Sequence, residues 1–87
     1  MIRHILCVKD RALDAYLIPF YVPSVGVAER SFSDEVVSKD SPMRAHPEDY
    51  DLYYVGTYDD SDCRMSLFDQ PKLVMRAQDV SFESAAS

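Results

Sequence analysis

The sequence predicts an α+β fold: a small, mainly antiparallel sheet in the order β-α-β-β-β, with one helix packed on one face. Two observations predict this class. Apolar residues make up 47% of the 87 residues, and six tyrosines and four phenylalanines add enough aromatic surface for one small core. Short aromatic and β-branched runs stand on either side of one stretch with helical periodicity. We therefore expect one domain over residues 1–80 and a flexible C-terminal tail over residues 81–87.

The first strand is expected at residues 2–8, an apolar and β-branched run that ends at the charged residues 9–11. We expect it to be the central strand. Residues 12–24 should form an extended connection, because Pro19 and Pro23 restrict the residues before them to extended geometry. Since this connection is apolar, its aromatic side chains should cover the sheet or contact a second copy of the protein.

The helix is expected to begin after Ser24, a favourable N-cap residue, and to end near Lys39, before the breaker residues 40–42. Its apolar stripe at helical spacing consists of Val25, Ala28, Phe32 and Val36. A further short helix should start at residues 46–49, where Pro47 stands early and two acidic residues lie near the positive end of the helix dipole.

The second half of the chain predicts three strands. Residues 51–58 alternate, which puts Leu52, Tyr54, Gly56 and Tyr58 on one face and Tyr53, Val55 and Thr57 on the other. Residues 59–62 predict an aspartate-rich turn, from which residues 63–68 return as the second arm of a hairpin. Residues 72–77 alternate again and predict an edge strand.

The net charge of −6 is concentrated in residues 48–69, which contain seven acids and one base. No segment has the basic surplus that drives phosphate binding, so nucleic-acid binding would need a local cluster. The candidate residues for such a cluster are Arg11, Arg30, Lys39 and Arg44. In the alternative interpretation, these bases pair with Glu29, Glu35 and Asp40 on a solvated face. An acidic chain is repelled by anionic membranes, and prolines interrupt its longest apolar run, so no membrane partner is expected.

Nothing in the sequence predicts an enzyme, a cofactor or a metal site. Cys7 and Cys63 lack the spacing of metal ligands and are expected to be reduced thiols. His4 is expected to be partly buried, and His46 to cap the short helix or bond Asp49. The aspartates of residues 59–62 lack the pattern of a calcium-binding loop, so a solvated turn is preferred.

The aromatic residues allow two interpretations. The tyrosines at 50, 53, 54 and 58 could stack on unpaired bases, but aspartates lie among them and cross-strand packing is the better explanation. A second aromatic segment, residues 16–22, suggests a homodimer, because the core of a chain this short is thin. The interface residues expected for this homodimer are Tyr16, Phe20, Tyr21 and Val22.

Four segments in order resemble the small nonstructural protein of gokushoviruses, tailless phages of the Microviridae with single-stranded DNA. They are PFYVP at 19–23, VGVAERSFSDEV at 25–36, HPEDYDLYYVGTYD at 46–59 and QPKLV at 70–74. Two positions depart from that family. Cys63 stands where relatives tend to have glycine, so a positive φ there would be strained. Leu17 and Ile18 replace a glycine and a basic residue.

The resemblance implies a non-enzymatic, nonstructural protein in the cytoplasm of the infected bacterium. It implies a DNA-binding accessory that acts on single-stranded or replicative-form viral DNA during replication or packaging. The alternative is an acidic protein-interaction module, which would engage a phage replication or procapsid protein, or a host factor, without binding DNA.

Overall fold

The structure is a computed structural model that describes residues 1–80, so the tail predicted at residues 81–87 lies outside the described residues. Five antiparallel strands form one sheet in the order β2-β1-β4-β5, and β3 also pairs with β1. The predicted α+β class, with a main helix on one face, is confirmed. The elements are β1 (Ile2–Asp10), β2 (Ala15–Tyr16), β3 (Phe20–Val22), α1 (Val25–Val37), α2 (Pro42–Ala45), β4 (Tyr50–Asp59) and β5 (Arg64–Arg76), with 3₁₀ turns at Pro47–Asp49 and Ala77–Asp79.

β1 lies in the middle of the sheet, as predicted, because β4 pairs along one edge and β2 and β3 along the other. The connection that precedes α1 is more regular than the predicted extended segment. Its Tyr16 pairs with Lys9 and its Tyr21 with Ile5, while Pro19 separates the two short strands. This connection therefore completes an edge of the sheet instead of covering a face.

α1 begins as predicted, since the Ser24 hydroxyl accepts a hydrogen bond from the Val27 amide at 3.3 Å. The helix ends at Val37, two residues before the predicted position. Burial of its apolar stripe holds it on the sheet. The fully buried stripe residues are Ala28, Phe32 and Val36.

The breaker residues 40–42 end α1 but also begin α2, which the sequence analysis did not predict. The Ser41 hydroxyl accepts from the Met43 amide at 3.1 Å, and a proline occupies the first helical position. Arg44 donates through Nη1 to the carbonyl of Val37 at 3.1 Å. This bond satisfies a carbonyl at the C-terminal end of α1.

A bulge at Val55 reverses the predicted faces of β4 beyond Tyr54. Leu6 of β1 pairs with Tyr54, but the preceding residue, Ile5, pairs with Gly56. One extra residue in a strand moves every later side chain to the opposite face. The residues affected are Gly56, Thr57 and Tyr58.

The last two predicted strands are one strand of 13 residues, β5. Its register against β4 shifts between Leu67 and Lys72, so residues 68–71 oppose the single residue Val55. Pro71 lies in this wide bulge, where no ladder hydrogen bond is required from its nitrogen.

The core lies between the helices and one face of the sheet. Residues from β1, β3, α1, β4 and the last 3₁₀ turn form it: Leu6, Val8, Val22, Ala28, Phe32, Val36, Leu52 and Ala77. Within residues 1–80, no helix combines the length and the apolar character needed to cross a membrane.

The turn between β4 and β5 holds Cys63 at a φ of 59°, in the left-handed region. This is the strained geometry expected if cysteine replaces glycine there. Left-handed backbone costs a residue with a Cβ about 1 to 2 kcal/mol, and glycine avoids this cost but is more flexible when unfolded. We therefore expect Cys63→Gly to raise the free energy of unfolding by about 0.5 to 1 kcal/mol, measured by urea titration.

Ser61→Gly is the matched control for Cys63→Gly, because Ser61 lies in the same turn without a positive φ. Glycine should destabilise the protein at that position, because it adds backbone freedom and removes the Ser61 hydroxyl, which donates to Asp59 at 2.6 Å. If the two variants changed the free energy of unfolding equally, the strain at Cys63 would not be the cause.

Candidate functional site

The helices cover one face of the sheet. No helix within residues 1–80 covers the other, which we call the open face, but its own side chains bury its centre, where Ile5 is 2% and Cys7 8% exposed. Cross-strand partners share a face, so the register identifies its residues. Four rows make up the open face: Tyr16/Lys9/Asp51/Arg76, Cys7/Tyr53/Leu73, Tyr21/Ile5/Gly56/Leu67 and Arg3/Tyr58/Met65.

The open face is apolar at its centre and charged at its two ends. The two middle rows contain no charged residue, whereas Arg3 lies in the row nearest the β4–β5 turn and Lys9 in the row at the opposite end. Three aliphatic side chains are strongly exposed: Leu67 at 69%, Met65 at 53% and Leu73 at 45%. A hollow of about 370 Å³, lined almost entirely by apolar atoms, lies beside Leu67. An apolar centre with a polar rim is typical of a binding interface.

The tyrosines divide between the two faces. Two edge-to-face pairs stand on the open face, with ring centroids 5.5 and 5.7 Å apart respectively: Tyr16 with Tyr53, and Tyr21 with Tyr58. Tyr50 and Tyr54 lie on the helix side and pack against the core. Packing therefore explains Tyr50 and Tyr54, as the sequence analysis preferred.

The four residues expected at a dimer interface do not lie on one face of the sheet, because successive side chains of β3 point to opposite faces. Tyr16 and Tyr21 are each 44% exposed and belong to the open face. Val22 is only 7% exposed and lies in the core, and Phe20 packs against that core. Phe20 and Val22 are therefore part of the interior of their own chain and offer little surface to a partner.

The candidate DNA-binding bases lie in two separate parts of the domain. Arg30 on α1 and Lys39 after it are exposed, and within residues 1–80 neither lies within 4.0 Å of a carboxylate oxygen. The predicted pairing with Glu29, Glu35 and Asp40 therefore does not occur for these two bases. Arg44 lies nearby on α2. Arg11 follows β1 and lies beside the start of β4, where its Nε is 3.9 Å from the Asp51 carboxylate.

Three bases at the ends of the sheet are paired with carboxylates, whereas Arg76, in the row of Lys9, has no carboxylate oxygen within 4.0 Å among residues 1–80. Arg3 contacts Asp60 at 3.1 Å, Lys9 contacts Asp14 at 3.5 Å, and Arg64 contacts Asp62 at 3.8 Å. The N-terminal ammonium also donates to Asp60, and these hydrogen bonds lower the pKa of that carboxyl group. The acidic turn therefore neutralises much of the positive charge around it.

The histidines and cysteines within residues 1–80 do not form a nucleophile–base pair. His4 Nδ1 bonds the Tyr54 hydroxyl at 2.6 Å in the partly buried setting that was predicted. His46 makes no side-chain cap, and its nearest carboxylate is Glu48 at 3.9 Å, not Asp49. Cys7 is buried, and burial raises the pKa of its thiol.

One cluster of possible metal ligands lies at the surface, where His46 and Glu48 are exposed and Asp49 is half-buried. The side chains of His46, Glu48 and Asp49 could bring ligand atoms within 4.8 Å of one another, but exposed acidic groups commonly lie together without an ion. Cys63 is exposed and its thiol bonds the Tyr58 hydroxyl, which raises the pKa of Tyr58.

The contribution of β5 to the open face was not predicted from the sequence. The signal was present in residues 64–67, where Met65 and Leu67 alternate with Arg64 and Ser66. That alternation identifies one apolar face of the strand, but an edge strand with one apolar face is equally compatible with burial under a helix.

A comparison with protein families gives one finding. The model of a family described as "Phage ORF5 protein" matches residues 3–80, which is nearly the whole chain. No curated protein and no solved structure matches the chain significantly.

Proposed function

The chain belongs to the Phage ORF5 protein family, and we propose that it is a non-enzymatic accessory protein of a gokushovirus that binds viral DNA in the host cytoplasm. The resemblance to the small nonstructural protein of gokushoviruses supports a role in single-stranded DNA replication or packaging. The DNA would be single-stranded or in the replicative form.

The observation that carries the proposal is that two bases in and beside α1 have no ion-pair partner in the described part of the chain. Arg30 and Lys39 are exposed and have no ion-pair partner within residues 1–80, whereas Arg3, Lys9 and Arg64 at the ends of the sheet are paired. A base that is already neutralised by a carboxylate has little to gain from a phosphate. Unpaired bases release counterions from DNA when they bind it, and they can do so even on a protein with a negative total charge.

The non-enzymatic part of the proposal has support from the arrangement of reactive groups. The buried thiol of Cys7 is disfavoured as a thiolate, and His4 is engaged by Tyr54 on the other face of the sheet. Catalysis needs a nucleophile, its base and a pocket in mutual reach.

We expect Arg30→Glu combined with Lys39→Glu to weaken binding to single-stranded DNA by at least about tenfold and to reduce its salt dependence, because each base that contacts a phosphate contributes about one unit of salt slope. Fluorescence anisotropy of a labelled single-stranded oligonucleotide, at about 50 and 200 mM salt, measures both quantities.

Arg64→Glu is the matched control for these helical-layer variants. It reverses one charge, as Arg30→Glu alone does, on the β4–β5 turn, where Arg64 is exposed and paired with Asp62. Equal weakening of DNA binding by Arg30→Glu alone and by Arg64→Glu would show that net charge causes the effect. No binding by the unmodified protein at either salt concentration would contradict the DNA-binding proposal.

The apolar centre of the open face favours one alternative, an acidic protein-interaction module. In that case the partner would be a phage replication or procapsid protein or a host factor, and DNA would not bind at either salt concentration. The anisotropy measurement therefore separates the two functions.

A further inference from the structure

Within residues 1–80, no second layer of helices or strands covers the open face. The domain measures 40 × 30 × 18 Å, so its thinnest dimension accommodates the sheet and one layer of helices. A half-covered antiparallel sheet usually has polar side chains on its solvent face. Here that face instead carries Leu67, Met65 and Leu73, each at least 45% exposed.

The shape of the open face suits a copy of itself. Gly56 has no side chain, and the Leu67 side chain lies across it, beside the hollow lined by Ile5, Cys7 and Val55. A projecting leucine and an apolar hollow thus stand next to each other on one surface. In a twofold pair, a contact from one residue to a second residue of the other copy is repeated in the opposite direction. Leu67 of each copy can therefore enter the hollow of the other copy.

The open face approaches the area of a standard interface, which buries roughly 800 Å² per partner. The two longer dimensions of the domain, 40 and 30 Å, leave room for an interface of that size. Five large side chains at about half exposure offer on the order of 500 Å², and the rim residues have to supply the rest. These five are Tyr16, Tyr21, Met65, Leu67 and Leu73.

We propose that a second copy of this chain covers the open face, so that two sheets stack face to face and the helices lie on the two outer sides. The charges of Arg3 and Lys9 then lie at the rim, as interface charges usually do. Pairing also doubles the number of helical layers, each with its own Arg30 and Lys39, that remain accessible to solvent. The inference does not depend on the DNA-binding proposal, because it uses none of those bases.

The test is the mass of the full chain in solution, by light scattering after size exclusion and by sedimentation velocity, from about 1 to 100 μM, a range that spans micromolar affinities. The unmodified protein should have twice its 9.9 kDa chain mass. Leu67→Asp places a charge at the centre of the interface and should weaken the pair at least about 100-fold, because burying an unpaired charge is strongly unfavourable. Circular dichroism should show that Leu67→Asp is folded, since Leu67 is 69% exposed.

Val27→Asp is the matched control, because Val27 is 44% exposed on α1, on the other side of the domain. It should remain dimeric. A monomeric unmodified protein at about 100 μM, or a folded Leu67→Asp variant that stays dimeric, would overturn the proposal. The proposal would also be overturned if a single-stranded oligonucleotide dissociated the pair into complexes of one chain with DNA. In that case DNA, and not a second copy, would occupy the open face.

Discussion

Phe32→Ala is expected to lower the free energy of unfolding by about 3 to 5 kcal/mol, the range for removing a buried aromatic side chain. Phe32 is 3% exposed and joins α1 to the core residues of the sheet. A domain of about 80 residues is stable by roughly 4 to 12 kcal/mol, so the variant should lose a large share of its stability. Urea unfolding followed by circular dichroism measures the change.

Val27→Ala provides the comparison for Phe32→Ala within the same helix. Val27 is 44% exposed, and alanine favours the helix slightly more than valine does, so stability should change by less than about 0.5 kcal/mol. All variants should be compared at one protein concentration, because association makes unfolding depend on concentration. A loss below about 1 kcal/mol for Phe32→Ala would show that α1 does not hold the core as described.

Gly56→Ala is expected to lower the free energy of unfolding by about 3 kcal/mol, at the upper end of the effect of overpacking. A Cβ on Gly56 would clash with the backbone carbonyl of Ser66 and lie 3.0 Å from the Cα of Leu67. Both obstacles are backbone atoms of the paired strand, so they cannot move without opening the ladder between β4 and β5. Thermal unfolding followed by circular dichroism measures the loss.

Gly26→Ala is the contrasting substitution at the other glycine. Its Cβ would meet only the Ser24 hydroxyl at 3.9 Å, an ordinary contact, and Gly26 lies within α1. Alanine there should raise stability by about 0.5 to 1 kcal/mol. If Gly56→Ala were tolerated as well as Gly26→Ala, β4 and β5 would not approach each other closely at this point.

The elements with strong local signals were predictable from the sequence. The Ser24 cap and the apolar stripe through Phe32 placed α1 within two residues of its observed end. The alternation of residues 51–54 gave the correct faces, because side chains in an unbroken strand must alternate. The predicted burial of His4 followed from its apolar neighbours in β1.

The features that the sequence did not reveal depend on pairing between distant segments. The bulge at Val55 appears only in the pairing of β4 with β1 and β5, and no property of Val55 itself signals it. The same holds for Val22, which looked like part of an apolar surface segment. Only its pairing with His4 turns it toward the core. For Arg30, sequence proximity to Glu29 suggested an ion pair, but side chains at adjacent positions on a helix do not face each other.

The two edges of the sheet differ in length but share one property. Along β1, the outer edge is broken into strands of two and three residues with Pro19 between them, and along β5 it is broken by the bulge that contains Pro71. Neither edge therefore offers a long uninterrupted row of free amides and carbonyls to an incoming strand. The two edges therefore resist strand-by-strand polymerisation. At high protein concentration we expect assemblies of fixed size and not fibres.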